Sequence, residues 1–449
     1  MSAAIHRTAA GIQYVLTTLR SLRSALALLV VAVGAACSEK LDGGGACPSL
    51  CPEPSLEIET VELTPVTLDT ALARLTPLGN EALLLLTARG DTAETYAVIR
   101  FDTLPPRAGR ERDTTTIAIT KLDSAYLRMR LDTTTIIATA PITIDLYDVD
   151  TSGVSDTATA AVALLFRPER RIGGITLQPA DLRDAELNRY RDSLRIPIDT
   201  AFLRQRIADN GRARIGLAIR STAAAQLRII SNENAIFPTI NYLATSPDTS
   251  KIETVRASPT SETPNAERSL NGQFVDYTII VRPTPAGSPQ DIIIGGLPGR
   301  RTYLRFDLPA EIVDSATVTR AELILTQRPN PGSPSPDDTL QVRATVVLAG
   351  VAVTDPARAA LITEGDGLFP GTIDVPPAAS GERTLDVTTV LRAWRGLDPE
   401  DTPRALVLAI PLEGVTAGEL RFFSSEAVDP ATRPRLRISY IPRVGFGLP

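Results

Sequence analysis

Short strings recur in the same order in the two halves of this 449-residue chain, which restricts it to architectures built from a repeated unit. Residues 58–65 read IETVELTP and residues 252–259 read IETVRASP. Arg100-Phe101-Asp102, followed by Leu104-Pro105, returns as Arg305-Phe306-Asp307 followed by Leu308-Pro309. LRIISNE at 227–233 returns as LRFFSSE at 420–426, and INY at 240–242 as ISY at 438–440. Each match is short, but their collinearity makes duplication the economical reading. It predicts one unit over residues 58–243, a linker over 244–251 and a second unit over 252–442.

Within each unit, apolar and polar residues alternate with the period of a strand that has one face on a core and one in water. Leu127, Met129 and Leu131 alternate with Arg128 and Arg130, and Ile142, Ile144 and Leu146 with Thr143, Asp145 and Tyr147. In the second unit Leu436, Ile438 and Tyr440 alternate with Arg435, Arg437 and Ser439. Frequent Thr and Ile, broken by Pro, Gly and Asp clusters, fit antiparallel sandwiches. The expected fold is all-β, with two tandem antiparallel β-sandwich, jelly-roll-like domains. Each unit also carries one helical stretch, DTAFLRQRI at 199–207 before Gly211 and DVTTVLRAW at 386–394 before Gly396. Asp or Thr suits the N-cap and the glycine a left-handed C-terminal position. Charge alternation over 181–195 suggests a further, exposed helix.

Residues 1–36 hold no acid and three arginines, then the apolar run ALALLVVAV at 25–33 and small residues up to Cys37. This is a secretory signal whose apolar core is shorter than the roughly 20 residues that span a bilayer. VGAAC at 33–37 resembles the lipobox of bacterial lipoproteins, which implies diacylation of Cys37, an exported, lipid-anchored protein of the cell envelope, at the outer membrane or cell surface, and a membrane partner. An ordinary cleaved signal with a spare thiol is the alternative. Residues 37–57 form a flexible tether with three consecutive glycines. In an oxidising compartment its Cys47 and Cys51 most simply form a local disulfide.

Composition then removes several functions. His6 is the sole histidine and lies in the signal, so serine and cysteine triads, His-ligated zinc and histidine general bases are excluded from the mature chain. Without residues 1–36, 43 basic side chains face 52 acidic ones, which argues against nucleic acid as a partner. The arginines are scattered singly, as on solvated strand faces.

Few residues remain to carry chemistry. Trp394, the sole tryptophan, shares a helix side with Val390 and Leu391 and so belongs to a core, leaving Tyr147 and Tyr190 as better exposed aromatics. The carboxylates Asp102, Asp307, Glu233 and Glu426 recur in both units; paired acids can hydrolyse glycosides, but recurrence at strand ends favours bonds to turn amides or to arginines such as Arg100, Arg305 and Arg421. DVDTSGVSD at 148–156 places Asp148, Asp150, Ser152, Ser155 and Asp156 around a glycine, either a loose calcium loop or a solvated turn. Residues 167–195 have no counterpart in the second unit, and such inserts are where binding differences reside.

YLRFDLP at 303–309, ATVTRAEL at 316–323, LDVT at 385–388 with Trp394, FSSE at 423–426 and PRLRISY at 434–440 together resemble the DNRLRE-type domain. The resemblance covers residues 270–442 and reaches the first unit through the duplication. It implies tandem β-sandwich modules of large bacterial and archaeal surface proteins, a family that overlaps carbohydrate-binding modules. The reading is therefore a non-enzymatic, membrane-anchored lipoprotein that binds or scaffolds, with polysaccharide as the implied ligand. A structural subunit contacting protein partners is the alternative, and a carboxylate-based glycan hydrolase ranks last.

Overall fold

The computed structural model describes residues 58–442 apart from several short segments, the longest being 261–273, 331–338, 348–370 and 395–404. Cys37, Cys47, Cys51 and Ser152 lie outside the described residues. The fold is all-β: every pairing between named strands is antiparallel. Two large hydrophobic cores organise it.

The first core lies between an eight-stranded and a four-stranded sheet. Leu84, Leu86, Ile99, Phe101, Ile144 and Leu217 enter from the larger sheet, and Leu127, Met129, Ile196, Ile240 and Tyr242 from the smaller. Period-two alternation holds well in the small sheet, where Leu127 and Met129 are buried and Arg128 is exposed along Leu122–Arg130. It fails in the large one. Ala213–Ser221 is buried on both faces, because Val98, Val149, Val162, Phe274 and Tyr277 form a separate apolar cluster on the side away from the core. Buried arginines, among them Arg100, Arg214 and Arg228, likewise depart from the expectation of solvated strand faces.

An eleven-stranded sheet surrounds the second core, which holds Leu304, Phe306, Leu323, Val342, Leu406, Phe422 and Ile438. Both anticipated helices form. Thr200–Asp209 starts where the Asp199 carboxylate accepts the Ala201 and Phe202 N–H groups at 2.7 and 3.2 Å, and ends at Gly211, whose φ is +67°. Thr388–Trp394 starts where Asp386 accepts the Thr388 N–H at 2.8 Å. The exposed helix expected over 181–195 is replaced by a 3-10 turn, Pro179–Leu182, and by strands including Ser193–Pro197. Leu194 and Ile196 alternate there and enter the first core, so strand period outweighs charge alternation.

The strands that open each expected unit pair into the opposite half. Glu59–Leu63 lies against Arg435–Pro442, with Glu59 opposite Tyr440 and Leu63 opposite Leu436, and Val61 and Leu63 pack on the second core. Pro65–Arg74 then pairs with Gly299–Phe306. Reciprocally, Val255–Ala257 pairs with Thr239–Ala244, and Asp276–Arg282 with Glu94–Phe101. The exchange follows the repeat closely. Asp69 faces Leu304 and Asp276 faces Ile99, residues that each precede an Arg-Phe-Asp string. DTALAR at 69–74 and DYTIIVR at 276–282 are thus structural counterparts, each borrowed by the other half. The boundaries expected at 58 and 252 therefore fall at arms that cross between the two cores.

Candidate functional site

The DVDTSGVSD segment is an arginine-binding loop. Asp156 is fully buried, and its Oδ1 accepts from Arg214 at 2.7 Å and from the Tyr277 hydroxyl at 2.8 Å. Its Oδ2 accepts from Arg100 at 2.6 Å and from the Phe274 N–H at 2.9 Å. Burial, reinforced by the Asp156 charge, pushes the Tyr277 phenol well above its ordinary range. Desolvation alone would lower the Arg100 pKa, but the Asp156 charge and hydrogen bond outweigh it and raise it. Since Phe274 and Tyr277 belong to the crossing arm, Asp156 fastens that arm to the eight-stranded sheet. Asp148 and Asp150 bind Arg206 at 2.5 and 3.2 Å, and Asp148 also binds Arg170. The carboxylates of Asp148, Asp150 and Asp156 are thus engaged by guanidinium groups, and among the described residues no three acids, histidines or cysteines gather as metal ligands.

The recurring carboxylates have different surroundings. Asp102 is buried beside Arg100 and Arg212, each at 3.6 Å, whereas Asp307 is exposed. At Glu233 and Glu426 the recurrence is a turn: the backbone N–H of each donates to the Oγ of the serine two residues earlier, Ser231 at 3.3 Å and Ser424 at 3.2 Å. Trp394 is 1% exposed within the second core. Tyr190 falls in the strand Arg189–Tyr190, where its side chain lies outside the described residues.

Tyr147 is half-buried and belongs to an aromatic strip on the outer face of the eight-stranded sheet. Phe166 stacks on Tyr96 with ring centroids 4.3 Å apart and tilts against Tyr147 at 5.3 Å. Phe166 follows the short helix Thr159–Ala163 and lies over Gly216, where a Cβ would approach its Cζ to 2.5 Å. Glycine at this central strand position makes room for the ring. Beside the strip, Leu164 is 73% exposed. The Tyr96 hydroxyl donates to Glu94 at 2.9 Å, and burial together with that carboxylate raises its pKa. Burial, then the Asp145 charge, raises that of Tyr147. Asp145 is itself held by Arg171 at 2.7 Å and Arg220 at 2.6 Å, whose side chains are 48% and 69% exposed. Half-buried rings rimmed by accessible guanidinium groups can stack on an apolar sugar face and bond its hydroxyls. Neither Tyr96 nor Phe166 stands out in the sequence, because the three rings come from separate segments. Only the missing counterpart of residues 167–195 points to their neighbourhood.

Two hollows lie among the described residues near these elements. One of about 540 Å³, open and polar, is lined by Arg320, Asp386, Thr388 and Arg392 at the start of the second helix. The other, of about 280 Å³, lies in the seam between the halves and is lined by Arg89, Thr92, Thr284, Asn330, Glu419 and Arg421. Among the described residues no helix is long and apolar enough to cross a membrane.

No family model matches the chain, and no curated protein matches it. Among solved structures, one alignment is to an infectious bursal disease virus protein, from "Structure of infectious bursal disease virus Gt strain". It covers 84% of this chain and 79% of that one at 12% identity, and its TM-score of 0.13 carries no argument about fold or function.

Proposed function

We propose that the chain is a non-enzymatic lipoprotein of the cell envelope, anchored through acylated Cys37, whose paired β-sandwich modules bind polysaccharide on the Tyr96–Phe166–Tyr147 strip. The strip carries the reading: it joins stacked and tilted rings with exposed arginines on a sheet face. The carboxylates that a hydrolase would need give it less support, since Asp102 is held by arginines and Glu233 and Glu426 sit in matching turns. The exchanged arms favour a second reading, a structural assembly subunit contacting protein partners.

A glycan array probed with the full-length protein in detergent separates the two. Binding to a polysaccharide that falls at least about tenfold in Tyr147→Ala and Phe166→Ala supports the strip, in line with about 0.5–1.5 kcal/mol per aromatic contact plus lost apolar burial. Clean negatives across algal, plant and bacterial glycans favour the assembly role. Cys37→Ser is expected to move the protein from the membrane to the soluble fraction; retention at the membrane would refute the anchor.

A further inference from the structure

We propose that the outer face of the four-stranded sheet docks on the anionic headgroups of a phospholipid bilayer. Its strands, Leu122–Arg130, Ser193–Pro197, Thr239–Ala244 and Val255–Ala257, carry four arginines and one acid. That acid, Asp123, lies at the start of its strand and accepts from the Thr245 hydroxyl at 2.5 Å. Because Leu127, Met129, Leu194, Ile196 and Ile240 turn into the first core, the alternate residues Arg128, Arg130, Arg195 and Asn241 face away from it, as does Arg256 opposite Asn241. Arg128, Arg195 and Arg256 are exposed. Arg195 stands directly opposite Arg128, and its guanidinium lies 5.3 Å from the centre of the Tyr126 ring. Like charges opposed across a ladder repel, and anions lying on the face would relieve that repulsion.

The acidic balance of the whole chain does not oppose this, since at physiological salt exposed charges more than about 8 Å apart are largely screened and the local face decides. The layout of the charges narrows the partner. Arg195 and Arg128 share one row, Arg130 belongs to the next, and Arg256 is two strands from Tyr126 on the other side. With about 5 Å between strands and about 7 Å between successive outward residues, they spread over a patch roughly 14 Å on a side. An open plane of this kind matches a layer of headgroups, whereas a single polymer chain or small ligand is better held in a cleft. The face also lies on the side of the first core opposite Tyr147, since Ile144 and Leu146 point inward from the larger sheet. Docking it on a bilayer would turn the aromatic strip away from the membrane. The proposal rests on acylated Cys37 only for bringing the sheet to the bilayer, where one lipid signal and a basic patch reinforce each other.

Vesicle co-sedimentation of the full-length Cys37→Ser chain, which cannot be acylated, tests the face apart from the anchor. Partitioning onto vesicles of mixed phosphatidylglycerol and phosphatidylcholine is expected to exceed that onto phosphatidylcholine alone at least about tenfold, and the gain to shrink as salt rises. Each arginine near an anionic surface strengthens binding about fivefold, so Arg128→Gln and Arg256→Gln are each expected to cut the gain by about that factor, and Arg128→Lys to keep it. Residues 1–36 are common to every variant, so differences between variants report the face. Far-UV signal and thermal melting check that each variant is folded. Equal partitioning onto both kinds of vesicle, or a gain unchanged in both folded glutamine variants, would overturn the proposal. So would binding of soluble polygalacturonate, lost in those variants, without any gain on the anionic vesicles, which would assign the face to an acidic polymer. The vesicle assay needs neither the acyl chain nor a glycan, so its failure is read apart from failure of the glycan array or of the Cys37→Ser fractionation.

Discussion

An asparagine at position 156 would keep the size of the side chain and remove its charge, leaving Arg100 and Arg214 buried around a neutral amide. Breaking a buried ion pair from one side costs about 3–5 kcal/mol, because the remaining charge has lost its solvent and its partner. Asp156→Asn is therefore expected to lose that much stability in urea unfolding at neutral pH; a loss under about 1 kcal/mol would refute the role given to Asp156. The sequence made this segment visible as a cluster of acids but concealed its partners. Arg100, Arg214 and Tyr277 are all more than fifty positions away, and a cluster of carboxylates reads alike whether calcium or guanidinium neutralises it.

Helices and edge strands respond to more local rules. Both capped helices could be read from sequence because an N-cap acid, apolar spacing and a following glycine are contiguous signals. The charge of one cap can be tested by pH. Burial would raise the Asp386 pKa, but hydrogen bonds from Thr388 and the charges of Arg320 and Arg392 outweigh it, and the result lies below the ordinary 3.8. A carboxyl depressed in the folded state stabilises it above the unfolded value, and that stabilisation is lost as pH falls from about 3.8 through the lower folded pKa. Asp386→Asn retains an acceptor for the Thr388 N–H without the charge. Its stability is expected to be lower at neutral pH and to fall less steeply below pH 3.8 than that of the parent, as measured by thermal melting across pH 2 to 7. Parallel acid limbs would show that the charge contributes nothing. Ser193–Pro197 was obscured by the reverse problem, since its arginine-rich surroundings resemble a solvated helix until Leu194 and Ile196 are seen to pair across the sheet.

At the scale of the whole molecule, the sheets around each core take in strands from the opposite half, so neither can come apart without disturbing the other. Unfolding followed by Trp394 fluorescence, which reports the second core alone, is expected to coincide with the loss of far-UV signal from both. Val61→Asp, on the crossing arm, is expected to shift both curves together; two separated transitions would show independent domains. Repeated strings in the sequence reveal which strands correspond but not whose sheet they join. DTALAR and DYTIIVR share only their first and last residues, so their equivalence emerges from register alone.

The pairing of Glu59–Leu63 with Arg435–Pro442 also has a mechanical side. If Cys37 is fixed in a membrane while a ligand is held on the aromatic strip, tension enters at residue 58, passes into the eleven-stranded sheet through two antiparallel ladders, and only then reaches the sheets of the first core. A pull along a strand loads its rungs together, whereas a pull that separates Glu59 from Tyr440 loads them one at a time. The same joint would resist traction from a bound surface and peel readily when its two neighbouring ends are drawn apart.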